Sequence, residues 1–267
     1  MALLQVNFAS KTLRKIVVFC ATIPLDTIEE PMEERQERKP LKAVYLLHGY
    51  TGHYMDWVWG SRIVELSQKY NIAVFMPSGE NSFYLDDEDK GEFFGEFIGK
   101  ELVEFTRRMF PISNKREDTF IGGLSMGGYG AIRNGLKYNE TFGRIIALSS
   151  ALIIRKIAGI SSDFRDAIAD YKYYRRVFGD LDQLIGSDKD PEALVLKLKD
   201  MNADIPKIYM ACGTEDFLLA ENREFYNFLV KEKIDVTYEE GPGAHDWKFW
   251  DEYIEKALIW AVKSTVQ

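Results

Sequence analysis

The chain has little of what several protein classes require. Cysteine occurs only at positions 20 and 212, each inside an apolar strand-like run. No disulfide framework is expected, and a thiol in such a run reads as a small buried hydrophobe in a protein of the reducing cytoplasm. Positive charge is scarce as well: 34 Lys and Arg face 42 Asp and Glu, a formal net charge of −8. A nucleic-acid partner is argued against, because phosphate binding needs a basic surface that releases counterions. Long apolar runs are missing, none nearing the roughly 20 residues of a membrane-spanning helix. The stretch Lys11–Pro24, KTLRKIVVFCATIP, has a basic start and a short apolar run, but Phe19 stands before Cys20 where a lipoprotein site needs a small residue, and no A-x-A follows. It reads as a strand.

What is present is a chain of 267 residues, 46% hydrophobic and 28% charged, the size and composition of one large globular α/β domain spanning 1–267. A homo-oligomer is compatible with it. Apolar runs alternate with helical patterns as βαβ units require. LLQVNF and KIVVFCATI read as an antiparallel edge pair, and the charged stretch Glu29–Pro40 as a solvated connection. Next come a strand at Ala43–Gly49, a helix near Ser61–Tyr70 and a strand at Ile72–Pro77. A looser aromatic segment to Phe94 leads to a helix near Gly99–Met109, a strand from Asp118 to Ser125, a helix from Gly127 to Tyr138 and a strand at Arg144–Ser150. Mixed periodicity from Ala151 to Ile205 suggests inserted helices, a lid or cap over the C-terminal edge of the sheet. The pattern resumes with strand Lys207–Gly213, a helix near Ala220–Lys231, strand DVTYEE, loop GPGAHD and a helix from Trp247 to about Val262. The predicted architecture is a doubly wound, mostly parallel sheet with an inserted lid.

The strongest chemical signal is Gly123-Leu124-Ser125-Met126-Gly127, a G-x-S-x-G between a predicted strand and a predicted helix. In such a nucleophile elbow the serine is strained, and the glycines supply missing side-chain volume where strand and helix crowd it. The competing reading, a glycine-rich turn that packs a helix on a sheet, does not use the serine. A phosphate loop is excluded because no Gly-Lys-Ser/Thr follows. A serine hydroxyl needs a base, and in this fold the order is Ser, acid, His. Of the histidines, His48 and His53 precede the elbow; His245, in GPGAHDW, follows it in a strand-loop-helix context. Asp216, just after strand KIYMACG, is the acid that holds the imidazole, with Glu215 and Asp246 as competitors. Glu215 should point away from its neighbour, and Asp246 suits the cap of the terminal helix.

An oxyanion hole requires N–H groups from the residue after the nucleophile, Met126, and from the loop after the early strand. Gly49 lets that loop turn, which assigns the second donor to Tyr50, with Thr51 as the alternative. His48 reads as a buried brace of the loop. Aromatic residues gather near the expected pocket, and Trp57, Tyr84 and Tyr174 are the substrate-contact candidates, although most such rings should be core or lid packing. His48, His53 and Asp56 lack zinc spacing. The run Asp86–Glu92 fails the EF-hand pattern at Lys90 and reads as a solvated loop. No metal is expected.

With LLHGYTG, GGLSMGGYGA, CGTEDFL and GPGAHDW in this order, the sequence resembles the esterase D-like serine hydrolases over almost its whole length. These include tributyrin-type esterases, feruloyl and acetylxylan carbohydrate esterases, and S-formylglutathione hydrolases. The resemblance implies the α/β-hydrolase fold, Ser125, Asp216 and His245 as triad, Tyr50 and Met126 as oxyanion donors, and no cofactor. It implies a carboxylic ester hydrolase acting through an acyl-enzyme on small uncharged esters, short-chain acyl or feruloyl and acetyl sugar esters. Leu124 stands where S-formylglutathione hydrolases usually carry His, and Thr51-Gly52 where they carry Thr-Cys, which points away from the glutathione thioester. Acyl transfer to a sugar, as in mycolyltransferase-like relatives, and a non-catalytic binding protein on this scaffold are the other readings.

Overall fold

Strands β1 (Ala2–Ser10) and β2 (Lys15–Ile23) open the chain as an antiparallel hairpin, Ala2 opposite Ile23 and Ser10 opposite Lys15. The computed structural model describes residues 1–25 and 39–263, so the expected solvated connection at Glu29–Pro40 lies outside the described residues apart from its last two. Six further strands complete the sheet: β3 (Lys42–Leu47), β4 (Ile72–Pro77), then, past a two-residue hairpin of β5 (Asp86–Asp87) and β6 (Glu92–Phe93), β7 (Thr119–Leu124), β8 (Arg144–Leu148), β9 (Lys207–Gly213) and β10 (Val236–Gly241). Their order is β1-β2-β4-β3-β7-β8-β9-β10. From β4 to β10 every pairing is parallel; β2 joins β4 antiparallel, and β1 is the edge.

The central strands read as unbroken apolar runs because both faces are covered. On β3, Ala43, Tyr45 and Leu47 enter one core while Val44 and Leu46 enter the other, the period of two that a strand imposes. The first core is closed by α4 (Leu102–Met109), α5 (Met126–Lys137), α8 (Pro191–Asp200) and α9 (Leu219–Lys231). The second is closed by α1 (Asp56–Gly60), α2 (Ile63–Lys69) and α10 (Trp247–Lys263). Each fully buried aliphatic or Phe side chain contributes about 1.5–3 kcal/mol of transfer free energy, so the two layers rather than any single contact hold the sheet. This is the doubly wound, mostly parallel arrangement that the sequence pattern predicts.

Some elements differ from that pattern. The helix expected near Ser61–Tyr70 is preceded by α1, and the one expected near Gly99 starts earlier, with α3 (Phe94–Glu96) and a wide turn at Phe97–Glu101 before α4. The segment 151–205 holds α6 (Ile154–Ile157), α7 (Tyr171–Phe178) and α8. Pro191 starts α8, Asp190 caps it, and the helix packs beside α5. It lies in the return between the parallel neighbours β8 and β9, which side-by-side pairing requires to be of helix length. The part before it contributes Ala151, Ile153 and Tyr174 to the surroundings of Ser125 at the carboxyl end of β7. Among the described residues no helix is long and apolar enough to cross a membrane.

Candidate active site

Ser125 occupies the turn from β7 into α5 with φ 54 and ψ −119, a left-handed conformation costing on the order of 1–3 kcal/mol in a non-glycine residue. The strain is held by packing and hydrogen bonds. The Ser125 N–H donates to the Leu148 carbonyl at 2.9 Å and its carbonyl accepts from Tyr129 and Ala151. A Cβ on Gly123 would run into the Gly127 carbonyl, and one on Gly127 into the carbonyls of Leu47 and His48. Both glycines of the motif are therefore required sterically.

The loops after β9 and β10 bring two further groups to the serine. His245 Nε2 lies 3.0 Å from Ser125 Oγ, and His245 Nδ1 lies 2.9 and 3.1 Å from the carboxylate oxygens of Asp216. A proton on Nδ1 donated to Asp216 leaves Nε2 free to accept from the hydroxyl. The Asp216 side chain has no solvent exposure. Burial alone would raise its pKa, yet hydrogen bonds from His245, the Leu218 N–H and the Ser149 hydroxyl outweigh that and hold it below the usual carboxylate range. Ser149, itself at φ 45, also accepts from the Trp250 indole N–H at 3.1 Å. The ring of Trp250 meets the His245 ring edge-on at 4.9 Å, and Phe217 lies 4.6 Å from it. Ser149, Trp250 and Phe217 did not stand out in the sequence; the one signal for Ser149 is its place at the end of β8, between the strands that carry Ser125 and Asp216. The competing acids sit elsewhere. Glu215 accepts from the Gly243 N–H and the Thr214 hydroxyl, and Asp246 caps α10 by accepting from the Phe249 N–H at 3.0 Å.

The loop after β3 runs against the elbow so closely that a Cβ on Gly49 would stand 2.8 Å from the Leu124 side chain and 3.5 Å from Ser125 Cβ. Met126 begins α5, so its N–H has no acceptor within the helix and stands at the positive end of the helix dipole. The Thr51 N–H is occupied, donating to Asn81 Oδ1 at 2.8 Å. No partner occurs for the Tyr50 N–H among the described residues. His48 is 1% exposed. Its Nδ1 donates to the Gly49 carbonyl at 2.7 Å while its Nε2 accepts from the Gly79 N–H at 2.8 Å. Burial lowers its pKa from the ordinary histidine value.

That lowering has a sign in stability. A histidine kept neutral when folded contributes stability that is full above its unfolded pKa of about 6.5 and is lost as pH falls below it, by at most about 1.4 kcal/mol per pH unit. The thermal midpoint should fall between pH 7 and pH 5, and fall less in His48→Asn than in the parent. Equal falls in calorimetric scans of the two proteins would show that His48 is not the responsible group.

These groups open into a cavity of about 720 Å³, bounded by Tyr50, Phe83, Met126, Phe217, Trp247 and Trp250 and, from the segment over the strand ends, by Ile153, Lys156, Asp166, Ile168 and Tyr174. Lys156 is ion-paired with Glu221. Two expected substrate contacts are corrected. Trp57 lies in the core beneath α1 and α2, 1% exposed, with its indole N–H donating to the Leu47 carbonyl at 3.1 Å. Tyr84 is fully buried and its hydroxyl donates to the His48 carbonyl at 3.0 Å. A buried indole or phenol needs a partner, and both rings found carbonyls under the Gly49 loop, which they brace instead of lining the cavity. Tyr174 does stand in the cavity wall, its hydroxyl donating to Asp166 at 2.8 Å. Among the described residues no cluster of three or more metal-ligating side chains occurs.

Residues 30–261 match the family model of the Esterase family. The sequence is 63% identical, over 98% of this chain and 99% of the relative, to an acetyl esterase of Caldicellulosiruptor saccharolyticus. Among solved structures, a fluorophosphonate-binding serine hydrolase of Staphylococcus aureus superposes with a TM-score of 0.85 at 28% identity. An S-formylglutathione hydrolase of the same organism superposes with a TM-score of 0.83, also at 28% identity; in both cases 98% of each chain is covered. A ferulic acid esterase at 20% identity shares the fold, with a TM-score of 0.73 over 98% of both chains.

Proposed function

The chain belongs to the Esterase family and is a serine hydrolase of carboxylic esters with the α/β-hydrolase fold, and on that premise we propose that Ser125 is its nucleophile, His245 the base, Asp216 the orienting acid, and the N–H groups of Tyr50 and Met126 the oxyanion donors. One observation carries this: the unbroken line from Ser125 Oγ through the His245 ring to a buried, ionised Asp216. In acylation His245 takes the hydroxyl proton as Oγ attacks the ester carbonyl; the two N–H groups receive the developing oxyanion, and the imidazolium returns its proton to the leaving alcohol. Water then repeats the sequence and frees the acid. The segment over the strand ends, from Ala151 to Asp190, serves as a cap on the cavity, within one domain.

The substrate class we assign is small uncharged esters, with acetyl and other short acyl groups first and feruloyl or acetyl sugar esters among them. Identity to an acetyl esterase supports the acyl group. A cavity of about 720 Å³ with exposed Phe217 and the rings of Trp247 and Trp250 leaves ample room for a ring-bearing alcohol or acid. Such stacking adds about 0.5–1.5 kcal/mol, tenfold at most, so it widens the substrate range without rejecting simple esters. S-formylglutathione is disfavoured because Leu124 and Thr51-Gly52 stand where S-formylglutathione hydrolases usually carry His and Thr-Cys. The two unpaired buried thiols, Cys20 and Cys212, suit a cytoplasmic protein. Purified protein should hydrolyse acetyl, butyryl and methyl feruloyl esters with kcat/KM values within about two orders of each other. A kcat/KM for S-formylglutathione near the diffusional ceiling of about 10⁸ M⁻¹s⁻¹, with aryl and sugar esters several orders lower, would overturn this assignment.

A further inference from the structure

One proposed oxyanion donor begins a regular helix, but the other lies in an irregular loop whose conformation must be held from outside. Thr51, next to Tyr50, sits at φ 63, a region a β-branched residue rarely adopts. Its N–H is fixed by Asn81 Oδ1 at 2.8 Å. The main-chain carbonyl of the same Asn81 accepts from the Tyr173 hydroxyl at 2.7 Å, and the Tyr173 ring meets the Tyr50 ring edge-on at 5.6 Å. Tyr173 is itself fixed in the first turn of α7, where its N–H donates to the Asp170 cap at 2.9 Å. Tyr173 of the cap helix therefore reaches the loop twice, through Asn81 and through the Tyr50 ring. Without the Asn81 amide, Thr51 could relax out of the left-handed region and carry Tyr50 with it, and its own N–H would become a competing donor.

We propose that Asn81 is a positioning residue for ester hydrolysis: it fixes Thr51 so that, of the two loop N–H groups, the one of Tyr50 joins that of Met126 at the oxyanion, and Tyr173 of α7 fixes Asn81. This rests on the reading of Tyr50 and Met126 as oxyanion donors. Removing a donor outright costs about a hundred- to thousandfold in turnover, and a misplaced one somewhat less. Asn81→Ala keeps the main-chain carbonyl that Tyr173 needs, so kcat on a short acyl ester should fall about ten- to a hundredfold with KM within about twofold. The inhibition constant of an alkylboronic acid, whose tetrahedral adduct places an anionic oxygen in the hole, should rise in proportion, while that of a non-hydrolysable ether analogue stays put. Tyr173→Phe, which keeps the ring and loses the hydroxyl, should shift kcat and boronate inhibition the same way by about threefold or more. Should Asn81→Ala fail to fold, Tyr173→Phe decides alone. A kcat within about twofold of the parent, or a loss confined to KM, overturns the proposal. Replacing Tyr50 by its α-hydroxy acid, which removes only the N–H, separates the two levels: if that variant keeps boronate affinity, the donor assignment itself fails; if it loses affinity while Asn81→Ala does not, only the role of Asn81 fails.

Discussion

Ser125→Ala is expected to lower kcat for ester hydrolysis by on the order of a millionfold while leaving the protein folded. The backbone at φ 54 is as strained with one Cβ as with another, and the main-chain bonds that hold it, to Leu148, Tyr129 and Ala151, do not involve the hydroxyl. What disappears is the atom 3.0 Å from His245 Nε2. With it goes the acyl-enzyme, and a fluorophosphonate probe should no longer label the protein. The thermal midpoint should stay within a few degrees. Purified alanine variant that hydrolyses an acetyl ester at a rate within tenfold of the parent would show that another residue is the nucleophile.

His245→Ala should be nearly as severe, on the order of 10⁴- to 10⁶-fold in kcat, since the members of such a triad act as a unit. His48→Ala is a different lesion. It strands the Gly79 N–H, leaves the Gly49 carbonyl with the Gly52 N–H as its remaining donor and loosens the loop after β3, a loss bounded by about a thousandfold. The pH dependence of kcat/KM separates them. The acid limb should persist in the His48 and His53 variants, because the base is still there, and vanish from the residual activity of His245→Ala. An acid limb removed by His53→Ala and kept by His245→Ala would refute the assignment.

The sequence announces Ser125, Asp216 and His245 because each belongs to a local pattern: a glycine pair around a serine between strand and helix, and charged residues in short loops after late strands. The structure brings these three together. Trp57 and Tyr84 were not readable in this way. Aromatic residues near an expected loop say that rings are needed there, not which side of the loop they take, and the choice is made by where an indole or phenol can donate once buried. Asn81 was unreadable for a related reason: its amide matters through a contact with Thr51 and its carbonyl through a contact with Tyr173, 92 residues away. In the fold, the parallel core followed from apolar runs of strand length, whereas the place of α8 beside α5 was not readable because it rests on contacts between helices distant in the chain.

The residues that follow β7 and β10 meet in space but not in time. Ser125 and His245 are 120 residues apart, so at about 5–20 residues per second a ribosome delivers the proposed nucleophile about 6 to 24 seconds before its proposed base. Throughout that interval the nascent chain has its serine, and even a half-built sheet, without any means of activating the hydroxyl. Asp216 precedes its histidine by only 29 residues, so the charge partners arrive almost together, on the last strands to join. With the roles proposed for these three residues, a chain that has not yet paired β10 with β9 lacks the base that activates Ser125, and ester hydrolysis reports only chains in which the last two strands have joined the sheet.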